Sequence, residues 1–131
     1  MGMIIMNGKE YAGSGSEWHE YSTEEKVVGK WIDGKPLYEK VVQANCSFTT
    51  HFNGDIYGGN IDLSSYLPSD IDKAFVITDK SYYMPSSTQK RTFYFAQHEK
   101  DNGYGWFYCH VMYSRQNVDC VFVIQYTKTT D

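Results

Sequence analysis

Residues 26–42, KVVGKWIDGKPLYEKVV, constrain the fold more than any other stretch of this chain. Asp33-Gly34 separates two strand-like runs, 26–32 and 35–42, and both residue types tolerate positive φ, so the pair predicts a two-residue hairpin loop. Such a loop sets a register in which Ile32 faces Lys35, Trp31 faces Pro36, Gly29 faces Tyr38 and Val27 faces Lys40. One face then carries Val27, Gly29 and Trp31 beside Pro36, Tyr38, Lys40 and Val42, apolar except for Lys40. The Tyr38 ring is expected to cover the gap left by Gly29. Pro36 has no amide to donate and points to an edge strand.

The rest of the chain agrees with a β-rich reading. Aromatic residues make up 17% of the 131 positions, 12 of them tyrosine, and no apolar run is long enough to span a membrane. That combination favours an all-β domain over a helical or membrane protein. A chain of this length forms one core. Residues 1–20, with Gly and Ser concentrated at 12–16, are expected to form an N-terminal arm or tether, with Asn7-Gly8 as a turn after a short strand at 4–6. Residues 21–131 are expected to form a single antiparallel β-sandwich, jelly-roll-like, with a C-terminal β-meander. The N-terminal apolar run at 3–6 lacks a basic leader and a cleavage site, so no secretory signal is expected.

Along the domain, residues 40–50 continue as a strand with Val42, Ala44, Cys46 and Phe48 in one phase. Residues 51–70 are punctuated by turn formers, with Ile56, Ile61 and Leu63 as anchors. A short hairpin is expected over 74–84, turning at Asp79-Lys80. The meander comprises 92–98, 105–113 and 120–127. Pairing Tyr113 with Val118 would set Val111 opposite Cys120, Cys109 opposite Phe122 and Phe107 opposite Ile124, a wholly apolar face. The reverse face would hold Trp106, Tyr108, His110 and Met112 with Val121, Val123 and Gln125. A hairpin apolar on both sides needs a second buried contact. Subunit packing through Tyr108, His110, Met112, Val121 and Val123 would supply it, and so would a central sandwich strand covered by loops.

Four fragments carry a family likeness: YSTEE at 21–25, VVGKWIDGKPLY at 27–38, NIDLSSYLPSDIDKAFVI at 60–77 and IQYTKTTD at 124–131. They resemble the small C-terminal modules of bacteriophage and prophage tail-fibre or related structural proteins, particularly of phages that infect Gram-positive hosts. The resemblance implies a virion part, homotrimeric and joined to the rest of the tail fibre near its host-facing end; with no secretory signal expected, a chain made in the bacterial cytoplasm would leave the cell by another route, such as lysis. It brings no catalytic motif with it.

The search for chemistry in the residues agrees. Cys46, Cys109 and Cys120 fit neither a disulfide framework nor a zinc pattern and read as buried free thiols. His19, His51, His98 and His110 are isolated from one another, and the carboxylates Asp55, Asp62, Asp70 and Asp72 recur at turns without a calcium-loop pattern, so no metal and no cofactor are expected. No GxSxG elbow, phosphate loop or Rossmann glycine pattern is present, and Glu24-Glu25 reads as a solvated strand entry. A formal charge of −4 without a basic tract gives no reason to expect nucleic acid. What remains is binding by aromatic surface. Tyr57, Tyr66, Tyr82, Tyr83, Tyr104 and Trp106 fall in or near predicted loops, where their rings would stack on sugar faces. The reading is a non-enzymatic receptor-binding tip holding a host cell-surface glycan. The alternatives are a purely structural trimerisation or capping module and a standalone carbohydrate-binding accessory domain.

Overall fold

The computed structural model describes residues 4–6, 9–11, 19–113 and 115–131. It is an all-β sandwich of antiparallel sheets, one of them curled into a half-barrel. Twelve strands follow in order: β1 (Ile4–Met6), β2 (Lys9–Tyr11), β3 (Lys26–Lys30), β4 (Pro36–Phe48), β5 (Thr50–Asn53), β6 (Ile56–Asp62), β7 (Ile71–Val76), β8 (Tyr82–Ser86), β9 (Gln89–Thr92), β10 (Phe95–His98), β11 (Trp106–Met112) and β12 (Arg115–Lys128). β1 and β2 pair as a separate two-stranded ribbon. The expected Asn7-Gly8 turn and the linker at 12–16 lie outside the described residues. No helix among the described residues is long and apolar enough to cross a membrane.

The two main sheets run β10-β11-β6-β5 and β3-β4-β12-β8-β9, with β7 also paired to β12. Hairpins stay within a sheet, and the chain changes sheet between them at Thr49, at 63–70, at 93–94 and after Met112. Strand alternation supplies the core between the layers. Phe107, Cys109 and Val111 of β11 point inward, as do Phe122, Ile124 and Tyr126 of β12 and Val42 and Phe48 of β4, all within 2% of complete burial. Phe93, in the crossing before β10, stacks on Phe122 at 4.9 Å. Cys46, Cys109 and Cys120 are buried free thiols, as the sequence suggests.

The phases expected for 105–127 are those observed, but the pairing is not. β10 and β11 form the first hairpin of the meander, whereas β11 continues to β6 and β12 lies in the other sheet between β4 and the β7 and β8 strands. The contact between Val111, Cys109, Phe107 and Cys120, Phe122, Ile124 is therefore made within the core between layers and not across a ladder. Tyr113 makes the change of sheet at φ 69°. The hairpin expected over 74–84 is also revised: β7 and β8 both pair with β12, and the hairpin is β8–β9.

The hairpin at Asp33-Gly34 forms with a three-residue loop. Gly34 N–H donates to Trp31 O at 2.9 Å and Trp31 N–H to Lys35 O at 2.8 Å, so Ile32, Asp33 and Gly34 make the loop. Only Gly34 takes positive φ (88°); Asp33 instead accepts a hydrogen bond from Lys35 N–H on its carboxylate, which is a type I turn closed by a left-handed glycine. The register shifts accordingly to Lys30 opposite Pro36 and Gly29 opposite Leu37, and a bulge sets Val27 opposite Tyr38. Tyr38 does not cover Gly29. It stacks on Tyr126 at 5.7 Å with Lys128 Nζ 4.2 Å above its ring. Pro36 sits on an internal strand, but as its first residue, ahead of the point where β12 begins to pair at Tyr38. Glu25 is no simple solvated entry: it accepts from Tyr126 Oη at 2.5 Å and from Lys128 Nζ at 2.9 Å.

Candidate functional site

The site is built on the outer side of the six-stranded sheet. Because β4 gives Val42, Cys46 and Phe48 to the core, its two-residue period turns Val41, Gln43, Asn45 and Ser47 outward. The ladders extend this face into two rows, Gln43–Val121–Tyr82 and Asn45–Asp119–Met84. Asn45 Nδ2 donates to Asp119 Oδ1 at 2.9 Å, which fixes both planar groups. Tyr66 closes the opposite wall. The result is a depression of about 410 Å³ with tyrosine rings on two sides and amide and carboxylate groups on its floor.

Tyr66 is held in place by its loop. Leu63 and Leu67 are buried on either side of it, and Tyr66 N–H donates to Leu63 O at 2.9 Å. Leu63 N–H in turn donates to Gly105 O at 2.7 Å, and Asp62 Oδ1 accepts from both Ser64 N–H and Ser64 Oγ. Lys40 Nζ donates to Tyr66 O. The Tyr66 ring stays exposed on this hydrogen-bonded backbone.

The same ring overhangs a strand edge. β3 pairs with β4 only as far as Glu39, after which Val41 N–H donates to Ser22 O at 2.8 Å. Beyond that point no described strand pairs with this side of β4. Backbone groups face one edge at every second residue, so those of Gln43 and Asn45 turn the same way as those of Val41. Two further depressions follow the edge. One, of about 330 Å³, is lined by Thr23, Lys40, Val41, Gln43 and Tyr66; the other, of about 380 Å³, by Asn45, Ser47, Asn60, Asp62, Ser65 and Tyr66.

Of the six residues expected to contact ligand, Tyr66 and Tyr82 come together in the first depression. Tyr83 does not belong with them: it is 1% exposed, packed against Phe48 and Phe93, because neighbouring residues on a strand point to opposite faces. Tyr57 is half-buried beside the core and tilted against His51 at 5.0 Å. Tyr104 is exposed in the loop after the 3₁₀ turn Lys100–Asn102. Trp106 lies on the outer face of the other sheet, paired with Asp62. Sequence reasoning missed Gln43, Asn45 and Asp119, although polar residues at 43, 45 and 47 alternating with Val42, Ala44, Cys46 and Phe48 already mark an outward row.

The five residues expected to share one subunit interface are divided. Tyr108, His110 and Met112 face outward from β11, whereas Val121 and Val123 face outward from β12 on the opposite side of the sandwich, because the two strands lie in different sheets. Val121 and Val123 line a small apolar extension of the groove with Tyr21, Val41, Lys80 and Tyr82. On the other side, His110 is 8% exposed beneath the rings of Phe52 (4.4 Å), Phe95 (5.3 Å) and Tyr108 (4.9 Å), with its Cδ2 edge against Gly58. Burial among these rings holds its pKa below the ordinary histidine value.

The four carboxylates at turns do not converge. Asp55 gives its carbonyl to Tyr113 N–H, Asp62 caps Ser64, Asp70 accepts from Thr130, and Asp72 is surrounded by Lys35, Lys73 and Lys100. Among the described residues no group of His, Cys, Asp or Glu is arranged to hold a metal ion. The chain matches no family model, no curated protein and no solved structure.

Proposed function

We propose that this chain is a non-enzymatic receptor-binding module of a bacteriophage tail fibre, which attaches as a homotrimer to a glycan on the host cell surface. The observation that carries the reading is the pairing of Tyr66 and Tyr82 across a floor of Gln43, Asn45 and Asp119. A sugar ring has an apolar C–H face and an equatorial rim of hydroxyls. Tyrosine rings match the face, and fixed amide and carboxylate groups match the rim. The opposite outer face suits subunit contact: Phe52 is 58% and Phe95 40% exposed there around Tyr108 and His110, a concentration of aromatic surface that marks association. Binding on one face and assembly on the other gives three weak sites on one rigid body, which raises avidity without a tight single contact.

The test has two parts. Co-sedimentation with purified cell-wall glycans of Gram-positive bacteria should retain the wild-type chain and lose Tyr66→Ala and Tyr82→Ala while keeping Tyr104→Ala. Light scattering coupled to size exclusion should return three times the 15.1 kDa chain mass, reduced in Phe52→Ser. Retention unaffected by both groove variants refutes the binding site, and a monomer at every concentration refutes the assembly.

A further inference from the structure

We infer that the groove takes a linear, uncharged polysaccharide laid along the outer face of β4 beside the edge that no described strand pairs, spanning several sugar rings, and not a single terminal sugar or an anionic polymer. This rests on the glycan-binding reading above and specifies its ligand. The three depressions of about 330, 410 and 380 Å³ all share Tyr66 and succeed one another along β4 from Lys40 to Ser47. Over those residues a strand advances about 23 Å at roughly 3.3 Å per residue, far longer than one ring. Polar groups continue through all three: Thr23 at one end, Gln43 shared with the middle, Asp119 in the middle, Asn45 shared with the far end, and Ser47, Asn60, Asp62 and Ser65 there. Repeating polar sites under one central ring suit a repeating ligand.

The charges on the lining decide its class. Phosphate and carboxylate polymers are recognised by arginine forks or clustered cations. These three depressions contain no arginine and no histidine; their charged residues are Asp62, Asp119 and Lys40, and Lys40 is bound to the Tyr66 carbonyl. Lys90 stands 5.3 Å over the Tyr82 ring, where it faces the π surface. An anionic chain would therefore meet two carboxylates and no clustered cations or guanidinium fork. An extended peptide adding to the edge is disfavoured for a different reason. Tyr66 overhangs the lane such a strand would occupy, and at its far end Ser47 O lies only 2.9 Å from where a side chain on Gly59 would begin.

The test is a printed array of neutral homo-oligosaccharides, each as a length series from monosaccharide to hexasaccharide: β-1,3- and β-1,4-glucans, α-1,4-glucan, chitooligosaccharides, galactans and mannans. Poly(glycerol phosphate), polygalacturonate and a panel of extended hydrophobic peptides are printed beside them. At least one neutral series should rise with length, gaining on the order of tenfold in affinity between the shortest and longest members. The rise should be lost in Tyr66→Ala and flattened in Gln43→Ala, both surface changes whose folding is checked by amide NMR dispersion, and kept in Tyr104→Ala. Amide shifts on adding the longest binder should appear at both Thr23 and Asn60. Signal independent of length but removed by Tyr66→Ala overturns the extended groove and leaves the glycan-binding reading standing. Signal only on the anionic polymers or the peptides overturns the ligand class, and no signal on any saccharide overturns both readings.

Discussion

Replacing Tyr83 by Phe removes a single oxygen from a side chain that is 1% exposed. The rings of Phe48 and Phe93, at 6.5 and 5.5 Å, are kept, so the substitution isolates the hydroxyl. That hydroxyl accepts the Met112 N–H at 3.2 Å, at the end of β11 where the chain leaves one sheet for the other. Without it a part-buried amide loses its partner; a buried one would cost about 1–3 kcal/mol, and the partial burial and long distance place this case in the lower half, about 1–2 kcal/mol. For a domain of this size each kcal/mol shifts Tm by roughly 3–5 °C, so a fall of about 3–10 °C is expected. Differential scanning calorimetry beside Tyr82→Phe provides the control, since the neighbouring tyrosine faces the groove and its variant should stay within about 0.5 kcal/mol of wild type. Equal melting temperatures for Tyr83→Phe and wild type, or a larger loss in Tyr82→Phe, would refute the assignment of which tyrosine is inside.

Gly105→Ala should destabilise by more than about 2 kcal/mol in urea titration, because its Cβ would lie 2.7 Å from Ser64 Cα at a φ of +75°. Gly34→Ala, with φ +88° but open space around it, should lose only the left-handed penalty of about 1 kcal/mol; equal losses at the two glycines would show that the Ser64 contact is slack. His98 and His110 both have pKa values lowered by burial, with Lys100 adding to the effect at His98, so the unfolded chain binds their protons first. Stability is then complete above about pH 6.5 and declines as pH falls through that value toward the lower folded pKa values; a urea midpoint unchanged between about pH 7.5 and 5.5 would contradict this. The hydrogen bond with Cys46 and then burial raise the thiol pKa of Cys120, and burial raises that of Cys109; that of Cys46 is lowered by the same hydrogen bond, but its thiol is shielded by its 7% exposure. All three thiols should stay inert to a disulfide reagent until the chain is unfolded, and one fast-reacting equivalent in the native protein would place a cysteine outside the core.

The inward and outward phases were legible in the sequence because they depend only on a two-residue period. Phe107, Cys109 and Val111 against Trp106, Tyr108 and His110 could be sorted without knowing any neighbour. The partner of each strand could not. Periodicity says which side of β11 is apolar but carries no information on whether the facing surface belongs to the next strand in a ladder or to another layer, so the Tyr113–Val118 pairing failed while its phases held. The hairpin failed in a smaller way for a similar reason. Asp-Gly is compatible with a two-residue loop and with a three-residue loop closed by glycine, and the choice rests on one dihedral of Asp33, decided by its carboxylate bonding to Lys35 N–H.

The candidate groove follows from a mismatch of strand lengths that no local pattern announces. β3 has 5 residues and β4 has 13, so among the described residues the outer half of β4 has no strand partner on the β3 side. An open edge of that length invites pairing with other chains. Here it is blocked by two means, the overhanging Tyr66 loop held by Gly105 and Lys40, and the polar side chains of Gln43, Asn45 and Ser47. Those two means are also what create the depressions: a loop that stands over an edge without hydrogen-bonding along it leaves space beneath, and the polar residues line that space. Loop tyrosines could be picked from the sequence as candidates, yet only those beside this edge acquired a partner ring and a polar floor. Tyr104, equally exposed, did not, which makes the unpaired edge and not the tyrosine content the feature that selects the site.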